Sequence, residues 1–123
     1  MKVNNIKNEL IHELYPEYVQ IIGQEGLVKA INSPETLIYK NEIDQGLPFE
    51  LSVVFTSIKL VISLVDTIMK VLSYKSQEEE QLYLFKEKIM NSLVEKMTPE
   101  ELLRALGSKS IDEVIATVNS KMD

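Results

Sequence analysis

The chain contains no cysteine and a single histidine, His12. Without cysteine neither a disulfide framework nor a thiolate metal site is available, and a reducing, cytoplasmic setting is the expectation. With one histidine, a Ser-His-Asp arrangement would have to use His12, on a helix face expected to be exposed. A carboxylate-bridged di-iron bundle needs two Glu-x-x-His motifs and two further glutamates. Only Glu9-Leu10-Ile11-His12 has that spacing. A second copy of the chain would be needed to complete such a site, and chance occurrence in an acidic helix is the plainer reading.

Positive charge is also scarce. Thirteen Lys and Arg face nineteen Asp and Glu, a formal charge of −6, whereas binding to a phosphate backbone rests on clustered cations that release counterions. No nucleic-acid partner is expected. The long run 49–75 is the one region that is not net acidic, with three lysines against two acids. The five tyrosines are scattered among acids and make no base-stacking platform. Gly23-Gln24-Glu25-Gly26 lacks the preceding strand and the basic residue of a phosphate loop and reads as a turn. The opening MKVNNIKNELIHEL has no uninterrupted apolar core of the kind a secretory signal needs, so export is not expected. No catalytic, cofactor-binding or metal-ligating residue is assigned, and an enzyme is not expected.

What the chain does have is the stretch 49–73, FELSVVFTSIKLVISLVDTIMKVLS. Leu51, Val54, Phe55, Ile58, Val61, Ile62, Val65, Ile68, Met69 and Leu72 recur at i, i+3, i+4, i+7, which predicts a helix. A second line, Val53, Leu60, Leu64 and Val71, lies near the side opposite Leu51 and widens the apolar arc to roughly 220°. Ser52, Thr56, Lys59, Ser63, Asp66, Thr67 and Lys70 fill the polar remainder, with Asp66 and Lys70 at the i, i+4 spacing of a helix ion pair. So wide an arc needs at least two neighbours, from the chain itself, from a second copy, or from lipid. Residues 51–72 are long enough to span a bilayer, but Lys59 and Asp66 near mid-depth would each cost roughly 2.5–3.5 kcal/mol. A core helix is the better reading, and a span whose charges face a bundle interior is the alternative.

Around this helix, Val3, Ile6, Leu10 and Leu14 predict a first helix that Pro16 ends, with Pro16 equally able to open the next. Tyr18, Val19 and Ile22 continue an apolar face to the turn at Gly23 and Gly26, and Leu27, Val28, Ala30 and Ile31 follow it. Ser33-Pro34-Glu35 opens a helix expected to run to Ile43, and Asp44 to Pro48 form a loop. A small sheet made of Thr36–Tyr39 and Phe49–Phe55 is the competing reading there. Ser76-Gln77-Glu78-Glu79 has the form of a capping box, and the helix it opens carries Leu82, Phe85, Ile89, Leu93 and Met97 on one face, with Met90 and Val94 beside them. Thr98-Pro99-Glu100-Glu101 repeats the box before Leu102, Leu103 and Leu106, and Gly107 terminates that helix. Ser110-Ile111-Asp112-Glu113 opens the last one, whose buried side is expected to be Ile111, Val114, Ile115 and Val118.

The fold expected from these signals is all-α, one domain over 1–123, a compact bundle of six or seven helices built on a central hairpin of 49–73 and 77–97. By elimination the function is that of a small acidic protein–protein interaction module: an adaptor, regulator or inhibitor of another protein. A self-assembling structural protein, or a membrane-associated one using the 49–73 helix, is the alternative. The candidate contacts are Val53, Leu60, Leu64 and Val71, expected to pair two copies as a homodimer, and Glu78, Glu79 and Glu80, consecutive acids better suited to a helix start or a basic partner than to a metal.

Overall fold

The structure, a computed structural model, describes residues 2–32, 49–73 and 82–122. Among them are six helices and no strand: α1 (Lys2–Leu14), α2 (Pro16–Asn32), α3 (Phe49–Leu72), α4 (Leu82–Lys96), α5 (Pro99–Leu106) and α6 (Ile111–Met122). The expected helix 34–43, the loop after it and the capping box at 76–79 lie outside the described residues. So does position 77, where the helix containing Leu82 is expected to begin. The sheet reading fails on its second half, because 49–55 belong to α3. The chain divides into two compact units, Met1–Ile62 and Ser63–Asp123, with the division falling inside α3.

In the first unit α1 and α2 pack together. Ile6, Leu10, Ile11 and Leu14 are buried along one face of α1, and Tyr15 is buried just beyond its end. The Tyr15 N–H still donates to the Ile11 carbonyl at 2.8 Å, and Pro16 then opens α2 at a position where a missing N–H costs nothing. The Tyr15 and Tyr18 rings stack across this junction with centroids 5.6 Å apart. The turn expected at 23–26 is a break at one residue. Gly23 has φ 78° and ψ 167°, a region open in practice only to glycine, while Gly26 stays inside the helix. Leu27, Ala30 and Ile31 are buried after the break, but Val28, expected with them, is exposed.

α3 is a helix of 24 residues, about 36 Å long. From Ile58 to Leu72 its exposed residues are Lys59, Asp66 and Lys70, with Ser63 half-buried between them. At 100° per residue these four fall within roughly 60° of one another. Between Ile58 and Leu72 the apolar arc is therefore covered apart from Val71, which is half-buried, whereas Val53 near the other end of the helix is exposed. Thr67, expected on the polar side, is only 2% exposed. Its hydroxyl donates to the Ser63 carbonyl at 2.9 Å, which lets a polar side chain sit buried without an orphan donor. No helix among the described residues is long and apolar enough to cross a membrane.

In the second unit α4 packs against α6. Phe85, Ile89, Leu93 and Met97 are buried at a spacing of four, and Val114, Ile115 and Val118 are buried on α6. Ile111 is half-buried. At the edge of this pair Lys86 Nζ and Asp112 Oδ1 stand 2.9 Å apart. α5 is set by its ends. The Glu101 N–H donates to Thr98 Oγ1 at 3.1 Å and the Thr98 N–H donates to Glu101 Oε1 at 2.9 Å, a complete capping box with Pro99 at the first helical position. Gly107, at φ 62°, closes the far end with its N–H on the Leu103 carbonyl. At the start of α6 Ser110 Oγ accepts from the Glu113 N–H at 3.1 Å. Two residues expected on buried apolar faces lie at the surface instead. Val94 is 66% and Leu103 69% exposed, and the buried residue of α5 is Ala105.

Candidate functional site

The second unit carries an open cleft of about 450 Å³ between the last turns of α3 and the length of α4. Thr67, Lys70 and Val71 supply the α3 wall, residues at i, i+3 and i+4 that share one side of the helix. From α4 come Phe85, Lys88 and Ser92, followed by Glu95 and Lys96. This line runs beside the buried stripe 85, 89, 93, 97, so α4 presents one row to the core and the next to the cleft.

The floor is apolar. Phe85 is buried apart from the ring surface that reaches the cleft, and Val71 is half-buried. The rim is charged and exposed: Lys70, Lys88 and Lys96 against one carboxylate, Glu95. In a chain of net charge −6 this is a local reversal of sign. Lys88 Nζ lies 5.1 Å from the Phe85 ring centroid, close enough for the ammonium to be held by the ring face. The arrangement offers apolar contact and positive charge.

Of the candidate contacts Val53, Leu60, Leu64 and Val71, Val71 alone lines this cleft. Val53 is 39% exposed in the first unit, while Leu60 and Leu64, between them on the helix line, are buried at 8% and 0%. The four do not form a continuous surface strip. Glu78, Glu79 and Glu80 lie outside the described residues. His12 is exposed, and its Nε2 donates to Gln24 Oε1 at 2.5 Å. Among the described residues no three His, Asp or Glu side chains stand together as a metal set. The lysines of the rim are not among the candidate contacts read from the sequence, where Lys70 stands only as the i, i+4 partner of Asp66. Their signal was Lys88, Ser92 and Lys96 at i, i+4, i+8, a polar and basic line in an acidic half of the chain.

A smaller notch of about 180 Å³ lies between α1 and α2, bounded by Asn5, Asn8, Val28, Ile31 and Asn32. It falls below the roughly 300 Å³ at which ligand pockets begin. No protein-family model, curated protein or solved structure matches the chain.

Proposed function

We propose that the chain is a non-catalytic protein–protein interaction module, an adaptor, regulator or inhibitor that acts on another protein in the cytoplasm. The observation that supports this reading is the open cleft of the second unit, whose floor is formed by the half-buried Val71 and by the Phe85 ring beneath Lys88. Folding stabilises a chain by taking such side chains out of water, and a groove between two helices left apolar and open is the form in which partner helices are received. The exposed Val94 and Leu103 add apolar surface to the same unit.

The test is affinity capture of the tagged full chain from native lysate, with lysine cross-linking to map the contact. One protein recovered in stoichiometric amount, cross-linked to the second unit, is the expected result. Recovery of no stoichiometric partner would overturn the reading, and a light-scattering mass of two chains with no other protein retained would replace it with self-assembly.

A further inference from the structure

We infer that the occupant of the cleft is an amphipathic helix of another protein, its apolar stripe flanked by acidic residues. The inference rests on the interaction-module reading and adds the chemistry of the partner. Length comes first. Phe85 and Lys96 bound the cleft on α4 and are eleven residues apart, about 16 Å along the axis. That is three turns, the stretch over which a docked helix sets anchors at i, i+3 or i+4, and i+7. A small apolar ligand fits less well. Such ligands have roughly 70–90% of their surface buried by their sites, and here Lys70, Lys88, Glu95 and Lys96 are all exposed.

Charge then selects among helices. Three lysines and one glutamate rim the cleft, so carboxylates beside the apolar stripe of a partner land within a few ångströms of cations. Beyond about 8 Å the net acidity of the rest of the chain is screened at physiological salt. A long polyanion would not gain in the same way, since three lysines replace few counterions and the floor is apolar.

Lys88 couples the two parts of the recognition. Its ammonium rests over the Phe85 ring. An arriving carboxylate draws that ammonium to itself, and the ring face it leaves is free to receive an apolar anchor. Acidic flank and apolar stripe therefore act together, and a helix with only one of them binds less well.

The experiment titrates the full chain against two synthetic fluorescent peptides of about four helical turns. Both carry leucines at i, i+4 and i+7, one flanked by glutamates and the other by lysines, and binding is followed by anisotropy. The glutamate peptide is expected to bind one to one and about tenfold or more tighter than the lysine peptide. Lys70→Glu, Lys88→Glu and Lys96→Glu together should reverse that order while the circular dichroism stays unchanged, because all three side chains are exposed. Equal binding of the two peptides, or an order unaffected by the triple substitution, overturns the inference. Saturable binding of dodecanoate with no binding of either peptide also overturns it, in favour of a small amphiphile. Failure of this inference is separable from failure of the broader reading. A stoichiometric partner in lysate that still binds the triple variant removes the acidic helix and leaves the interaction module standing.

Discussion

His12 of α1 and Gln24 of α2 are joined by a hydrogen bond of 2.5 Å between ring Nε2 and amide Oε1. The amide nitrogen of Gln24 donates in turn to Asn8 Oδ1 at 3.2 Å, one helical turn away from His12 along α1. Gln24 follows directly on Gly23, where α2 breaks. The residue that redirects the helix thus sits next to the one that bridges the pair. Glu9-Leu10-Ile11-His12, with the spacing of a metal motif, has its imidazole occupied by an amide.

Gly23→Ala should destabilise the chain by roughly 1–3 kcal/mol, the cost of a backbone conformation that only glycine takes readily. Space is not the obstacle, because a Cβ at Gly23 meets nothing within 4 Å. Gln24→Ala removes two exposed hydrogen bonds and should cost no more than about 1 kcal/mol. Urea denaturation of both variants checks the order. A larger effect for Gln24→Ala would mean that the bridge, and not the break, holds α1 to α2.

Adjacent positions on α3 should differ sharply. Ile58 is fully buried while Lys59 lies on the exposed line. Ile58→Ala is expected to cost about 2–5 kcal/mol by lost burial and a residual cavity. Lys59→Ala should stay within about 0.5 kcal/mol. Equal urea midpoints would show the face of α3 to be misassigned.

The features legible in the sequence were those decided within a few residues. Pro16, the Thr98–Glu101 box and Gly107 act through local backbone geometry, and each ends or starts a helix where its chemistry requires. The wide arc of α3 was equally legible, since burial on nearly all sides leaves little choice of residue. Val94 and Leu103 show where pattern stops being informative. Both lie near an apolar stripe by spacing, and their exposure depends on whether a neighbouring helix reaches that far round. The cleft is tertiary in the same sense. Lys70 and Lys88 are 18 positions apart in sequence and become one rim only when α3 and α4 flank a common space.

Thr98→Ala removes the acceptor for the Glu101 N–H and should cost roughly 0.5–2 kcal/mol. α5 is only eight residues long, too short to persist without its caps or packing. Hydrogen exchange should therefore accelerate within 99–106 while α1 and α2 keep their protection. Unchanged exchange in α5 would show that Ala105, buried in the last turn of this helix, anchors it without the cap.

The last prediction concerns the line Val53, Leu60, Leu64 and Val71, which the sequence offered as a dimer face. Leu64 is fully buried and Leu60 nearly so within the single chain. Leu60→Lys with Leu64→Glu would place two charges where water is excluded, and a buried charge without a matched partner is among the few changes that cost more than about 4 kcal/mol. The helical circular dichroism signal should therefore be lost, together with cooperative unfolding. Val53→Lys, at the exposed end of the same line, is the control: it should leave both intact, because the lysine stem lies along the surface with its ammonium in water. Light scattering on all three proteins completes the test. A mass that halves in the double variant while helicity survives would return this line to the surface as an interface between copies. Loss of helicity in the double variant alone fixes Leu60 and Leu64 as core.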